Sequence, residues 1–414
     1  MPPRSSSSLS SSARWLVLAG VWFVYFCFGL TATSLAPLVA PIARDLDLSH
    51  TAMGGVLGVW QLVFIASAVP CGSLLDRLGA RRALFLGVLA VALSGLMRGF
   101  ADNGPELYLA VALFGLGGPI VSTGAPKVIA RWFEGSERGL AMGLYITGPS
   151  LGGIAALTLS HTVMLPLLDG DWRALLWLWA AVTLVAGGFW LVIAHLPAVR
   201  RHDDAEEAAA PVLPQRQVLG ELLRLPVMPV MLLLAVGIFA YGHGSTNWMP
   251  ELLRQSGMSA SEAGYWAAIP TLVGILGALA IPRLATPGRR IAILTLLSLS
   301  AMFAMLALLG EGRTVIAAGL VLQGIARSSM MTVALLLLLE SPGVGTARAG
   351  TASGLFFAAA EIGGAGGPFA VGLLYDATGS FDAGLIALAA VAGGMLGLLL
   401  LLRRIASRQA AEGG

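Results

Sequence analysis

Twelve long apolar stretches constrain the fold more than any other feature of this sequence. A helix needs about 20 apolar residues to cross the hydrocarbon core of a bilayer. Charged residues make up only 11% of the chain, whereas a typical soluble domain carries about 25%, so water cannot be its main solvent. The sequence therefore predicts an all-α integral membrane protein with twelve transmembrane helices. The stretches lie near 15–42, 51–75, 83–101, 107–131, 138–165, 172–195, 227–252, 262–284, 290–310, 314–339, 347–374 and 381–402.

The chain divides after the sixth stretch. The segment HLPAVRRHDDAEEAAAPVLPQRQ (195–217) is its longest charged, Pro- and Ala-rich part and predicts a cytoplasmic linker over 196–226. We expect six-helix halves at 15–195 and 227–403. A disordered cytoplasmic N-terminus (1–14) and a cytoplasmic tail (404–414) flank them.

The arginines are distributed unequally between the two sides of the predicted bundle. Basic residues concentrate in cytoplasmic loops, so the richer side indicates the cytoplasm. We therefore expect both termini in the cytoplasm and the protein in a bacterial inner membrane. The richer side holds Arg4, Arg14, Arg77, Arg81, Arg82, Arg131, Arg138, Arg200, Arg201, Arg216, Arg224, Arg283, Arg289, Arg290, Arg348, Arg403, Arg404 and Arg408; the poorer side holds Arg44, Arg173, Arg254 and Arg313.

The two halves repeat each other. GLAMGLYITGPSLGG (139–153) aligns without gaps on GTASGLFFAAAEIGG (350–364), and four glycines and one leucine coincide. LGARR (78–82) has a shortened echo in PGRR (287–290). A parallel repeat of two six-helix units predicts a binding site near the middle of the membrane, where the units meet.

The loop after the second stretch carries a specific motif. It reads GSLLDRLGARR (72–82) and resembles the signature Gly-x-Leu-x-Asp-Arg-x-Gly-x-Arg-Arg of the major facilitator superfamily. The resemblance implies two pseudo-symmetric six-helix halves and transport by alternating access. It also implies a gating loop, whose contacts with the other half latch the outward-facing state. The alternative is a loop that only keeps the chain oriented. The candidate gating residues are Gly72, Asp76, Arg77, Gly79, Arg81 and Arg82.

A finer resemblance rests on fewer residues. The segment 125–153, followed by GDWR (170–173) and NWMPELLRQSGMSASEAGYWAAIP (247–270), is similar to the cyanate and 2-nitroimidazole porter branch. GPSLGG (148–153) also resembles the kink motif of proton-coupled drug antiporters, although Gly-Pro kinks serve packing too. Proton-driven efflux of drugs or metabolites therefore remains an alternative function.

Two ionisable residues lie deep within predicted helices. Arg327 is at the middle of the tenth stretch and Glu361 at the middle of the eleventh. A charge at that depth is costly and marks a functional hypothesis by default. Arg327 could hold an anionic or polar solute while Glu361 takes up the coupling proton; alternatively, the two form a fixed ion pair. Glu361 aligns with Ser150 in the repeat, so the charge breaks the symmetry.

Lys127 is the one lysine of the chain and ends an apolar run after Pro126. It could attract anions at the inner mouth of the cavity, since the resemblance implies that the first, fourth, seventh and tenth helices line it. It could equally anchor the fourth helix by reaching the interface. Arg98 lies four residues before Asp102, the spacing of a helical ion pair, and predicts another interface anchor.

Further polar and aromatic residues in apolar stretches are candidate cavity groups. For each of them, ordinary packing or an interhelical hydrogen bond is the alternative. The candidates are Tyr25, Tyr145, His243, Asn247 and Trp248.

The sequence predicts a secondary active transporter, a possible proton symporter, and not an enzyme. Neither the two cysteines nor the five histidines form a pattern typical of a metal or catalytic site. We expect a monomer in the lipid bilayer that carries a small anionic or polar solute, with no cofactor, metal or nucleic-acid partner.

Overall fold

The computed structural model of the chain describes residues 11–133, 135–197, 199, 215–341 and 343–412. Every regular element in this part is helical, and twelve helices are long and apolar enough to cross a membrane. The prediction of an all-α fold with twelve spans is confirmed. Most of the expected linker, the first ten residues and the last two lie outside the described residues.

The helices of the first half are numbered α1 to α6. Their bounds are α1 Ala13–Asp45, α2 His50–Ala68, α3 Arg77–Phe100, α4 Gly104–Trp132, α5 Glu137–Leu167 and α6 Trp172–His195.

The helices of the second half follow a short connecting helix, Gln215–Leu223, and are numbered α7 to α12. Their bounds are α7 Val227–Gln255, α8 Ala260–Leu284, α9 Pro287–Leu308, α10 Arg313–Leu339, α11 Arg348–Thr378 and α12 Asp382–Ile405.

Two of the long helices are interrupted. In α1, regular α-helix ends at Thr33, and a 3₁₀ turn (Ala36–Leu38) and a short helix (Val39–Asp45) complete the span. In α5, a π-helical segment, Ser160–Met164, follows Leu159. Such breaks release backbone groups that must find other partners in a membrane. The break in α1 lies beside residues that line the central cavity.

Gly79 turns the chain between α2 and α3. The helix His50–Phe100 is continuous except at this residue, whose φ of 74° and ψ of 154° are open to glycine and strained for other residues. Arg81 and Arg82 follow, and the carbonyl of Arg81 accepts a 3.0 Å hydrogen bond from Trp190 Nε1 on α6. Arg77 is exposed, and a Cβ on Gly72 would meet nothing within 4 Å. The side chain of Asp76 lies outside the described set.

The repeated glycines make equivalent contacts in the two halves. A Cβ on Gly152 of α5 would collide with the backbone of Phe26 on α1, and one on Gly363 of α11 with the backbone of Val236 on α7. Small residues let membrane helices approach this closely. In each half the fifth helix therefore packs on the first, as a pseudo-symmetric fold requires.

The halves meet at the face opposite to the start of α1. We call the side of the helix bundle where α1 begins the terminal face, and the other side the opposite face. At the opposite face, a Cβ on Gly58 of α2 would lie 2.5 Å from the carbonyl oxygen of Ala365 on α11. One on Gly264 of α8 would collide with the backbone of Leu157 on α5. We call the α2–α11 contact the outer seam.

Hydrogen bonds between the two halves extend the outer seam to the residues where α2 begins. Asp376 of α11 accepts hydrogen bonds from the backbone N–H groups of His50 (3.1 Å) and Thr51 (2.7 Å) and from the Thr51 hydroxyl (2.6 Å). The carboxylate of one half thus caps a helix N-terminus of the other, where a negative charge is favourable. His50 Nδ1 also lies 3.3 Å from the same carboxylate.

The terminal face is open by comparison. A Cβ on Gly139 or Gly143 of α5, or on Gly350 or Gly354 of α11, would meet no atom within 4 Å. These are the repeat partners nearest the terminal face. The described structure is therefore a conformation closed at the opposite face and accessible from the terminal face.

Arg98 corrects one expectation. It is 1% exposed, and its Nη1 donates to the carbonyl of Thr31 (2.8 Å) and the hydroxyl of Ser34 (3.2 Å). Asp102 instead lies 3.6 Å from Arg173 of α6. Arg98 is therefore a buried residue that stabilises the break in α1 by hydrogen bonds, and not an interface anchor paired with Asp102.

Candidate functional site

A cavity of about 270 Å³ lies where the two halves meet. Four helices line it: α1 and α2 from the first half, and α7 and α10 from the second. Its walls combine aromatic, thioether and polar groups around one guanidinium. The lining residues are Ala32, Thr33, Trp60, Ile238, Phe239, Tyr241, Gly242, His243, Thr246, Asn247, Arg327, Met330 and Met331.

Arg327 is the permanently charged group among these lining residues. Its side chain remains accessible in the middle of α10, and its Nη1 donates a 2.6 Å hydrogen bond to the hydroxyl of Thr246 on α7. Within the described part of the chain, no carboxylate lies within 4.0 Å of the guanidinium. The hydrogen bond holds one edge of the guanidinium while the accessible edge can bind a carboxylate by the paired geometry typical of arginine.

Arg327 and Glu361 do not form an ion pair in this conformation. Glu361 of α11 is 6% exposed and does not line the cavity. Its Oε2 has no hydrogen-bond partner within the described structure. A fixed ion pair, the alternative that the sequence left open, is therefore absent from this state.

His243 connects the cavity to the neighbourhood of Glu361. Its ring lines the cavity, and its Nδ1 lies 3.3 Å from Nε2 of Gln61, a fully buried residue of α2. The ring also contacts Trp60 edge-on, with centroids 5.8 Å apart. His243 is thus at a junction between the two halves.

Asn247 lines the cavity as expected, but four other candidates do not. Tyr25 of α1 and Tyr145 of α5 stack on each other with ring centroids 5.4 Å apart, within an aromatic cluster of the first half. Lys127 is half-buried in α4, and no residue of α4 is among those that line the cavity. The structure brings only α1, α7 and α10 of the expected four helices to this cavity, together with α2.

Trp248, the fourth of these candidates, has a place in the outer seam. It is 1% exposed, its Nε1 donates a 2.9 Å hydrogen bond to the carbonyl of Pro368 on α11, and its ring stacks on His50 of α2. Successive residues of a helix point about 100° apart, so Asn247 and Trp248 face different surroundings. The sequence alone could not show which of these two residues faces the cavity, because that depends on how α7 is rotated about its axis.

Several site residues were missed from the sequence. Gln61 offered a signal, since it is a polar residue inside the apolar run VWQLVF, and Thr33 and Thr246 offered weaker ones. Trp60 and Tyr241 offered none, because aromatic residues are frequent in such helices. Their placement depends on how α2 and α7 rotate in the assembled bundle.

Solved structures of transporters share this fold. A mutant of the nucleoside transporter NupG superposes with a TM-score of 0.77 at 14% identity, over 93% of this chain and 99% of that one. A bacterial homologue of the human lysosomal transporter Spinster, in an inward-facing and occupied conformation, gives 0.67 at 19% identity over 94% and 93%. At these identities the similarity concerns the fold alone.

Relatives by sequence are transporters as well. The uncharacterized transporter YycB of Bacillus subtilis is 26% identical over 91% of this chain and 90% of its own length. The probable galactarate/D-glucarate transporter GudP of Escherichia coli is 25% identical over 66% and 67%. The probable L-galactonate transporter of Escherichia coli is 28% identical over 60% and 56%.

The family model of the Major Facilitator Superfamily matches residues 21–368, which include the motif loop, all of α2 to α10 and most of α1 and α11. This agrees with two pseudo-symmetric halves, a cavity between them and a conformation closed at one face. The protein is therefore a transporter and not an enzyme, and the chain belongs to the Major Facilitator Superfamily.

Proposed function

We propose that this transporter carries a small organic anion, such as a sugar acid, whose carboxylate binds Arg327. The single observation that carries the proposal is an accessible guanidinium in the middle of the membrane, held by Thr246 and without a carboxylate partner in the described structure. A charge halfway along a membrane-spanning helix is costly unless it is neutralised. A bound anion neutralises it, which gives such a solute an advantage over a neutral one.

The rest of the cavity suits a small hydroxylated acid. Its volume of about 270 Å³ is below that of most drug-sized pockets, which start at about 300 Å³. Thr33 and Asn247 supply polar groups and Trp60 supplies a flat aromatic wall. Galactarate, D-glucarate and L-galactonate, which name relatives of this chain, are all carboxylates of this kind. The relatives do not single out the cyanate and 2-nitroimidazole branch.

The orientation follows from the arginines. The terminal face carries Arg14, Arg81 and Arg290, and the positive-inside rule assigns it to the cytoplasm. In that orientation the described conformation is inward-facing, and the bacterial inner membrane is the compartment. We propose import by a monomer.

GPSLGG does not favour efflux. Gly148 and Gly152 allow α5 to approach the backbone of α1, since a Cβ on Gly148 would lie 2.9 Å from the carbonyl oxygen of Trp22. Packing accounts for the motif, and the relatives reported above include transporters named for sugar acids. We therefore retain import of an anion over the efflux alternative.

Proton coupling is assigned to Glu361. Symport of an anion against the membrane potential needs a compensating positive charge, since each charge moved across 100 mV costs about 2.3 kcal/mol. A buried carboxyl group behind the cavity can supply a site for that proton.

Ligand binding by purified protein tests the role of Arg327. Thermal shift with D-glucarate, L-galactonate and gallate, against the neutral sugar alcohol galactitol, should give stabilisation by at least one acid and none by galactitol. Arg327→Ala should lose it, whereas Arg283→Ala, which removes an exposed arginine at the end of α8, should retain it. Equal stabilisation of the Arg327→Ala variant and the native chain would refute the anion site.

Transport in vesicles tests the proton. Glu361→Gln should abolish accumulation driven by a pH gradient while solute counterflow continues, because counterflow requires no net proton movement. Unchanged proton-driven uptake in this variant would remove Glu361 from the mechanism.

A further inference from the structure

Three polar side chains from three helices converge on Gly364. A Cβ built on this glycine would lie 3.1 Å from Cγ of Gln61, 3.2 Å from Oε2 of Glu361 and 3.3 Å from Cδ2 of His243. Gln61 belongs to the first half, and His243 and Glu361 belong to the second. We call the three side chains the junction cluster.

Two oxygen atoms of the junction cluster are unsatisfied. Gln61 is fully buried and Glu361 is 6% exposed, yet neither Oε1 of Gln61 nor Oε2 of Glu361 has a hydrogen-bond partner in the described structure. Both are acceptors, and the amide nitrogen of Gln61 is already directed at His243. Buried acceptors without donors are rare and require a reason. A proton on Oε2 of Glu361 converts this unpartnered acceptor into a donor, and the side chains of Glu361 and Gln61 both lie against Gly364.

The junction cluster lies at the inner end of the outer seam. Along α2, Gly54 and Gly58 pack on the backbone of Pro368 and Ala365, and Gln61 comes one turn nearer the terminal face. Along α11, Glu361 comes one turn before Ala365. Beyond this point the cavity separates the halves. The cluster therefore sits where the contact between α2 and α11 ends and must break if the opposite face is to open.

We propose that the junction cluster is a proton-dependent latch: protonated Glu361 holds α2 against α11, and its deprotonation releases the outer seam. The inference rests on the proposed proton coupling and adds the residues through which the proton acts on the conformation. A carboxylate anion enclosed in the closed seam without a donor is strongly unfavourable. Opening of the seam exposes it to water. Glu361 takes one proton from the opposite face and gives the same proton to the terminal face through the cavity.

The surroundings contain few other groups that titrate. On α7, His243 belongs to the cluster and Tyr241 lines the cavity. On α10, Arg327 lines the same cavity and forms no ion pair with Glu361 within the described residues. In the helix that contains α2, no titratable residue is nearer in sequence to Gln61 than Cys71, and α12 carries its charges at its two ends. His243 is thus the group that could replace Glu361 as the proton site.

Distances between spin labels at Leu167→Cys and Glu311→Cys, both exposed at the opposite face, test the latch. In the native background the long-distance population should grow as pH rises from about 4 to about 9, a range that spans the usual pKa of a glutamate carboxyl group and that of its buried form. Glu361→Gln should give a long-distance population that is smaller than the native one at high pH and does not change with pH, because a neutral amide mimics the protonated acid. The seam should still open often enough for solute counterflow. Gln61→Leu should greatly reduce the pH response, since it removes the partner in the other half.

Gln323→Leu is the matched control. Gln323 is also a buried glutamine, but it bonds Ser245 within the second half, at 2.8 Å. This variant should keep the native pH response. A native response in Gln61→Leu, or loss of the response in His243→Leu but not in Glu361→Gln, would overturn the latch. Glu361→Gln could lose proton-driven uptake while Gln61→Leu keeps the native pH dependence of the spin-label distances. That result would support proton coupling through Glu361 and reject only the latch.

A second pair of variants tests the latch independently, in case Gln61→Leu does not fold. Gly364→Ala inserts a methyl group among the three side chains, whereas a Cβ on Gly366 of the same helix would meet nothing within 4 Å. Gly364→Ala should shift the midpoint of the pH response by about one pH unit or more, since it changes the surroundings of the carboxyl group. Gly366→Ala should leave the midpoint unchanged. Identical midpoints in the two variants would contradict the proposal.

Discussion

Nη1 of Arg327 lies 2.6 Å from the hydroxyl of Thr246, and this bond joins α10 to α7 at the wall of the cavity. Both residues lie in the second half, so the bond can persist while the halves move. It fixes the direction in which the guanidinium presents its free N–H groups. Preorganisation of this kind raises affinity because the side chain loses less freedom on binding.

Removal of the Thr246 hydroxyl should therefore weaken solute binding. A hydrogen bond to a charged group contributes about 1.5 kcal/mol or more, so Thr246→Val should raise the dissociation constant for a bound acid about tenfold. Thr246→Ser keeps the hydroxyl and should bind nearly as tightly as the native chain. Titration calorimetry on purified protein measures both. Native affinity in Thr246→Val would show that the bond does not orient the guanidinium.

Arg98 gives a second prediction, on stability. It is buried in α3, its guanidinium bonds Thr31 and Ser34 at the break in α1, and its charge lies 5.5 Å from the ring centroid of Phe114. Arg98→Met keeps much of the volume but loses the bonds and should cost about 2 kcal/mol. The midpoint of thermal unfolding in detergent should fall by several degrees.

Arg173→Met provides the comparison for Arg98. Arg173 is partly exposed and pairs with Asp45 at the opposite face. Exposed ion pairs contribute about 0–1 kcal/mol, so this variant should unfold close to the temperature of the native chain. An equal loss in both variants would mean that Arg98 has no special role at the break.

The sequence predicted the fold well because lipid imposes a length and a polarity on every span. The number of helices followed from the apolar runs, the two halves from the charged linker and the repeat, and the position of Arg327 in the cavity from its depth in the tenth run together with the family resemblance. Such signals cannot report helix rotation. Trp248 and Asn247 are adjacent in sequence, yet one lies in the outer seam and the other lines the cavity. Lys127 was a candidate for the cavity partly because it is the one lysine of the chain, but that fact does not determine whether its side chain faces the cavity.

The four open glycines give the last prediction. A Cβ on Gly139 or Gly143 of α5, or on Gly350 or Gly354 of α11, would have no neighbour within 4 Å, whereas Gly264 at the opposite face is in close backbone contact. Alternating access exchanges which face is closed. We therefore expect the terminal-face glycines to pack against the other half when that face closes.

Bulky residues at these glycines should block closure of the terminal face without disturbing the described conformation. Gly143→Leu combined with Gly354→Leu should retain thermal stability and solute binding from the terminal face, while counterflow falls sharply because the chain cannot reach the alternate state. Gly397→Leu on α12, where a Cβ also meets nothing within 4 Å, is the control and should transport normally. Counterflow at the native rate in the double variant would show that these faces stay apart throughout the cycle. A loss of thermal stability would show instead that the glycines are needed in the conformation described here, and the two results are separated by measuring unfolding and counterflow on the same preparation.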